Sequence, residues 1–250
     1  KLAARLHYLV KADVRLASFV GGIKHNAVPA NAEVVFATDK FDSLKEGLDA
    51  LIADLKEEYR VEDPGLTINI TETTADQVYT KDLSDSVIDM IMALPDGVQY
   101  MSKDIEGLVQ TSLNNSVILE NDGKLVLTTS VRSASSSSLR EILNRVTIIA
   151  NRMGAVAREY SSYPAWQYEA VSPLRDVAEK IYVEMYGKEP NITSIHAGLE
   201  CGLLKGILPN TDMISYGPSI FDAHTPKEHM YISSVERVWE YTKKLLAALK

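Results

Sequence analysis

Residues 191–228 read NITSIHAGLECGLLKGILPNTDMISYGPSIFDAHTPKE. Two short apolar runs, 191–195 and 212–216, are expected strands, and they flank a helix-like segment at 198–206. Strand, helix and strand on this spacing suggest parallel α/β packing. The stretch also concentrates chemistry: His196, Glu200, the single cysteine Cys201, and His224 in a His-Thr-Pro turn. Around it, Ser172-Pro173 opens an expected helix at 174–186, and a terminal helix is expected at 233–249. Roughly 85 residues with two short strands are too few for a complete doubly wound domain. The block is therefore expected to be the last portion of one.

Upstream the pattern changes near Tyr163-Pro164. Strands are expected at 14–20 and 33–38, separated by the loop GGIKHNAVPANA, whose glycines, Asn and Pro break ladder pairing. A helix at 44–59 keeps Leu44, Leu48, Leu51 and Leu55 on one face, with Asp42 or Ser43 as its cap. The alternating run 66–74 reads as a strand. A second helix follows, capped by Thr80 or Asp82, with Val87, Ile88, Ile91 and Met92 as its apolar face. Pro95-Asp96-Gly97 is expected to turn the chain. Strands at 109–120 and 124–132 are joined by Asn121-Asp122-Gly123, a strong hairpin signal. The serines at 133–138 suit the N-terminus of a helix at 139–153, which Gly154 closes, and 155–160 can be a further strand. Residues 1–162 are thus expected to form an α+β domain, an antiparallel sheet with helices on one face. The first residues look like a helix tail (Leu2, Leu6, Leu9), so the chain is expected to begin mid-pattern, as a fragment would.

The net charge is −8, with acids spread along the chain. That excludes the clustered basic surface a nucleic acid or anionic membrane requires. One cysteine cannot form an intramolecular disulfide, which suits a reducing cytoplasm. No apolar run approaches the ~20 residues of a membrane helix.

Several residues carry two readings. His224 is either a neutral imidazole ligand for a metal or a surface turn histidine. His196 and Glu200 lie four apart and would share a helix face, as a ligand pair or by chance. Gly198 and Gly202 allow close backbone approach to a ligand, or simply pack. Cys201 is a nucleophile only with a partner such as His196, and otherwise a structural thiol. Arg132, at a strand end, is placed to clamp a carboxylate bidentately or to make a surface ion pair. Asn26 offers an amide to a substrate or completes its loop, and Asn114-Asn115 are equally open. A two-metal hydrolase needs several converging carboxylates and histidines. This sequence has no His-x-Asp, and its single Glu-Glu, Glu57-Glu58, falls on an exposed helix end.

SIHAGLECGLL, DMISYGPSI and DAHTPKE, preceded by GGIKHNAVP and SVRSASSS, resemble the aminoacyl-histidine dipeptidases. These Xaa-His or β-alanyl-histidine dipeptidases belong to the carnosinase- and aminoacylase-like zinc metallopeptidases. The resemblance runs in order along nearly the whole chain. It implies an α/β catalytic domain with two zinc ions and an inserted α+β lid. Residues 1–162 would be most of the lid, and 163–250 the C-terminal portion of the catalytic domain. His224 resembles the metal-ligating histidine of the family's His-Ser-Pro motif, with Thr225 in place of Ser. Arg132 resembles the lid arginine that holds the substrate carboxylate. Asn26 resembles the lid asparagine that contacts substrate, and Gly198 falls in the pocket turn. Glu200 takes no assigned role. The family's remaining metal ligands, its glutamate base and its lid histidine would all lie upstream of Lys1. The resemblance therefore implies hydrolysis of an Xaa-His dipeptide by zinc-activated water in the whole protein. It implies no catalytic residue, no retained zinc and no activity in this chain alone. A homodimer through the lid is plausible by analogy. The alternative is a non-catalytic binding or dimerisation module, with a Cys201–His196 hydrolase as a distant third.

Overall fold

The computed structural model describes residues 5, 14–162, 164–193, 200–223 and 225–249. Its elements are β1 (Val14–Gly21), β2 (Ala32–Thr38), α1 (Phe41–Glu58), α2 (Lys81–Ala93), β3 (Gly97–Met101), β4 (Val109–Asn121), β5 (Lys124–Ser133), α3 (Ser136–Arg152), α4 (Pro173–Tyr186), α5 (Glu200–Ile207), β6 (Ile220–Phe221), β7 (His229–Met230) and α6 (Ile232–Ala248). They divide into two compact units. The first comprises Lys1–Tyr100, Thr111–Arg132 and Ser137–Tyr160, the second Met101–Gln110, Ser133–Ser136 and Ser161–Lys250.

The sheet runs β2-β1-β4-β3, with β5 also on β4. A strand has two edges, so two of β4's three partners share one. Asp122 (φ 50°) and Gly123 (φ 67°) supply the two positive φ values of a tight β4–β5 hairpin turn. The core forms where the helices' apolar faces meet the sheet. Leu44, Leu48, Leu51 and Leu55 of α1 and Val87 and Ile88 of α2 share one cluster with Val14, Leu16, Phe19 and Ile118. The pairing of β1 with β2 is irregular between Leu16 and Ser18. Near that break, the Leu16 N–H donates to Ser84 Oγ (3.0 Å) and its carbonyl accepts from Tyr79 N–H (2.7 Å). Those bonds tie the start of α2 to the strand.

Three local expectations for this unit need correction. The run 66–74 is not a strand. Its alternation is real, since Leu66, Ile68 and Ile70 pack part-buried against the core, but it joins no ladder among the described residues. Residues 155–160 form no strand either; the chain leaves α3 through Gly154 (φ 74°), with Ala155 N–H on Ala150 O at 2.9 Å. As expected, Pro95-Asp96-Gly97 carries the chain out of α2, with Gly97 at φ 75°, and it leads into β3. Neither Asp42 nor Ser43 caps α1: the helix begins earlier, at Phe41, with Lys40 at the cap and no side-chain cap bond. The α2 cap is as expected, with Thr80 Oγ1 accepting from Leu83 N–H at 3.3 Å.

In the second unit α4 and α6 pack through Ala178, Ile181, Tyr241 and Leu245. The Tyr241 hydroxyl donates to Ala178 O at 2.8 Å, satisfying a polar group inside that contact. Ser172 caps α4, Pro173 occupies its first turn, and Gly187 (φ 67°) ends it. Asp212 reaches back to the same helix start, accepting from Ser172 Oγ (2.7 Å) and Leu174 N–H (2.8 Å). The expected parallel pairing is not found among the described residues. Segment 212–216 carries no ladder; Ile214 packs against the α4–α6 cluster and Tyr216 meets Tyr241 edge-on at 5.1 Å. Of 191–195, Asn191–Thr193 carry none and 194–195 lie outside the described residues. The described ladder in this unit is the short antiparallel β6–β7 pair. Composition favours a strand only when a neighbouring backbone is there to pair with it.

Candidate functional site

The β1–β2 loop presents Asn26, and β4 fixes that loop. Gly22 has φ 69°, a conformation that favours glycine, and a Cβ there would lie 1.8 Å from Ser116 O. The loop neck is thus pressed onto the β4 backbone. Gly22 N–H donates to Asn31 O (3.1 Å) and closes the neck. Farther out, Asn114 Nδ2 donates to Ala27 O at 2.8 Å. Asn26 is exposed beside this anchor, with Ile23 and Val28 also exposed on the loop.

An interruption in β4 makes the anchor available. Its buried positions are Thr111 and Leu113, then Ser116 and Ile118, so the alternation shifts phase across Asn114-Asn115. The Asn115 N–H donates to Asp96 Oδ1 at 3.2 Å. Its Nδ2 reaches Pro95 O (3.0 Å) and Asp96 Oδ1 (3.1 Å), and its Oδ1 accepts from Thr129 Oγ1 (2.9 Å). A phase shift plus a backbone N–H turned to a side chain is the signature of a β-bulge. The two asparagines left open by the sequence are therefore structural. The signal for them was a polar pair in the middle of a strand of otherwise strand-forming residues.

Arg132 is exposed near the end of β5, as expected. The next residue turns the chain: Ser133 Oγ donates to Ser135 O (2.9 Å) and accepts from Ser135 N–H (3.0 Å), ahead of α3. Asn26 and Arg132 both belong to the first unit.

His196, Gly198 and His224 lie outside the described residues. The flanks of residue 224 are ordered by hydrogen bonds. Thr225 donates to Asp222 O through both its hydroxyl (2.7 Å) and its N–H (3.2 Å). Its hydroxyl accepts from Lys227 N–H (3.1 Å), and its carbonyl from Glu228 N–H (3.1 Å). Thr225 is thus the hub of the described part of the loop. The loop's base is the β6–β7 pair, where the Phe221 and His229 rings stack at 5.4 Å and 17°. Glu200 is the exposed first residue of α5, and Cys201 is half-buried beside it. At Gly202 an added Cβ would meet Pro164 O at 2.8 Å, so that glycine serves close packing of the chain on itself. Among the described residues no group of three or more His, Cys, Asp or Glu converges to hold a metal ion. Nor is any described helix long and apolar enough to cross a membrane.

No protein-family model matches the chain. It is 34% identical over 237 residues to the "Cytosol non-specific dipeptidase" of Escherichia coli (strain K12), a match covering 94% of this chain and 49% of that protein. It also superposes on the crystal structure of aminoacylhistidine dipeptidase from Vibrio alginolyticus with a TM-score of 0.90 and 34% identity, over 99% of this chain and 52% of that one. Among the described residues the fold is mixed α/β, with an antiparallel sheet and six helices, and both likenesses are to dipeptidases, a class of peptide hydrolases. Over the Vibrio match its sequence and fold are similar to those of an aminoacylhistidine dipeptidase. The chain spans about half the length of the relatives it matches.

Proposed function

We propose that this chain is the substrate-gripping part of a cytoplasmic zinc dipeptidase that hydrolyses Xaa-His dipeptides, and that it is inactive alone. Residues 1–162 act as the lid and 163–250 as the C-terminal portion of the catalytic domain. The likeness at 34% identity and TM-score 0.90 carries this reading. Arg132 pairs with the substrate carboxylate through two parallel N–H donors, and Asn26 offers its amide to the peptide from the pinned β1–β2 loop. Gly198 contributes to the pocket wall.

His224 is the proposed zinc ligand of this chain. The described residues do not by themselves make a metal site. The other ligands and the general base would have to come from polypeptide corresponding to the unmatched half of the relatives. Bound zinc would supply an activated water for peptide hydrolysis. The two relatives' names differ in breadth, one "non-specific" and one aminoacylhistidine. The Xaa-His preference follows the second.

The test is a paired assay of the chain with added zinc, using one Xaa-His and one Xaa-Leu dipeptide. No turnover is expected from the chain alone. In the active whole protein the Xaa-His substrate should be preferred, and His224→Ala should abolish turnover. Turnover by the chain alone that survives a chelator and His224→Ala would sink the zinc reading. Equal rates on both peptides would sink the specificity.

A further inference from the structure

We propose that Asn114 is a positioning residue for substrate: its side-chain amide holds the β1–β2 loop so that Asn26 meets the peptide in one fixed geometry. This rests on the reading of Asn26 as a substrate contact. Ala27 O is an acceptor, so the group that faces it at 2.8 Å is the Asn114 Nδ2 donor. The bond lands one residue from Asn26 and spans 87 positions of sequence. Within the loop, Gly22 N–H closes the neck on Asn31 O, and Ala27 N–H turns back to Lys24 O at 3.3 Å. Among the described residues, the Asn114 bond is the only hydrogen bond that ties residues 23–30 to another element. Without it the exposed residues 23–28 would pivot on the neck alone.

The support behind Asn114 is stiff. Ser116, fully buried, donates its hydroxyl to Thr128 O on β5 at 3.0 Å. Asn115 accepts from Thr129 of the same strand and grips the Pro95-Asp96 turn through its own amide. The bulge thus gives two neighbouring amides different tasks. Asn115 locks β4 to β5 and to the turn, and Asn114 passes that rigidity outward to the loop. A contact group held before substrate arrives need not be ordered on binding, so its ordering cost is met on folding instead. The chemistry of the bond also names the diagnostic change. Asn114→Asp keeps the side chain's shape but has no proton to give, and it sets a carboxylate oxygen against the Ala27 carbonyl oxygen.

Two measurements test this. In the 250-residue chain, backbone order parameters at residues 25–28 should lie in the rigid range, about 0.85, and fall below about 0.6 in Asn114→Asp. In the active whole protein, Asn114→Asp should lower kcat/KM for an Xaa-His dipeptide about three- to tenfold, the worth of one hydrogen bond. The same change made on top of Asn26→Ala should lower it by less than about twofold, because the contact it positions is gone. Asn114→Ala, which adds no charge, should show the same coupling. A role in stability alone gives equal losses in both backgrounds and would overturn the proposal. So would a loop that stays rigid in both Asn114 variants, or one already mobile in the wild type. Wild-type whole protein that cleaves no dipeptide contradicts the dipeptidase reading instead, and the order parameters then decide by themselves whether Asn114 holds the loop.

Discussion

Gly22→Ala should destabilise the first unit and displace the loop that carries Asn26. Two separable effects add. The residue sits at φ 69°, where a Cβ meets its own backbone; a non-glycine residue loses about 1–2 kcal/mol in that region. The added methyl also lies 1.8 Å from Ser116 O, on a strand whose side chain at that position is fully buried. The obstacle is backbone in the middle of the sheet, so it cannot swing aside, and overpacking of this kind costs about 1–3 kcal/mol. Together they predict a loss of roughly 2–5 kcal/mol, and 3 kcal/mol corresponds to about a hundredfold increase in the opening equilibrium. Both tryptophans, Trp166 and Trp239, lie in the second unit, so intrinsic fluorescence does not report this loss. Native-state amide exchange of β1 and β4 does. Protection there should fall by about two orders of magnitude, with α4 and α6 unaffected. A loss below ~0.5 kcal/mol would refute the claim that the loop neck is pressed onto β4.

Asp212→Asn removes the charged acceptor at the start of α4 and should cost about 1–2 kcal/mol at neutral pH, read from denaturant unfolding of the second unit. Burial pushes the Asp212 carboxyl up, but hydrogen bonds from Leu174 N–H, Ser172 Oγ and Met213 N–H, with the Lys205 charge, together hold it below the usual aspartate value. Its contribution is therefore present above the unfolded value near 3.8 and is lost as pH falls through the lower folded value, so wild type and variant should converge in strong acid. Asn115→Ala leaves the Pro95 carbonyl, the Asp96 carboxylate and the Thr129 hydroxyl each without a partner it now has. A cost of about 1–3 kcal/mol is expected, seen as faster exchange in β3 and β4, and an unchanged exchange pattern would contradict the bulge assignment. In the active whole protein, Arg132→Ala should raise KM about 10- to 100-fold, and Arg132→Lys should recover only part of it, because an ammonium cannot form the paired contact. Equal KM values for Arg132→Ala and wild type would remove Arg132 from the site.

The sequence disclosed elements whose cause is local. Leu44, Leu48, Leu51 and Leu55 fall on the buried face of α1, Thr80 and Ser172 cap their helices, and Asp122-Gly123 makes its hairpin. It misled where the outcome depends on a distant partner. Leu66, Ile68 and Ile70 alternate as a strand does, yet they face a core without joining a ladder. Segment 212–216 lost its strand assignment for the same reason. The exposed positions of Asn26 and Arg132 were legible from loop glycines and a strand end. What holds Asn26 was not, because it rests on contacts between Gly22 and Ser116 and between Ala27 and Asn114, both about 90 residues apart in the chain.

The most direct measurement of the central claim is release of free histidine from an Xaa-His dipeptide in zinc-containing buffer. It is made with the purified 250-residue chain, and again after adding the unmatched half of the E. coli relative. No release is expected from the chain alone, and release is expected from the mixture, lost with His224→Ala. Release by the chain alone that persists in His224→Ala would contradict the claim.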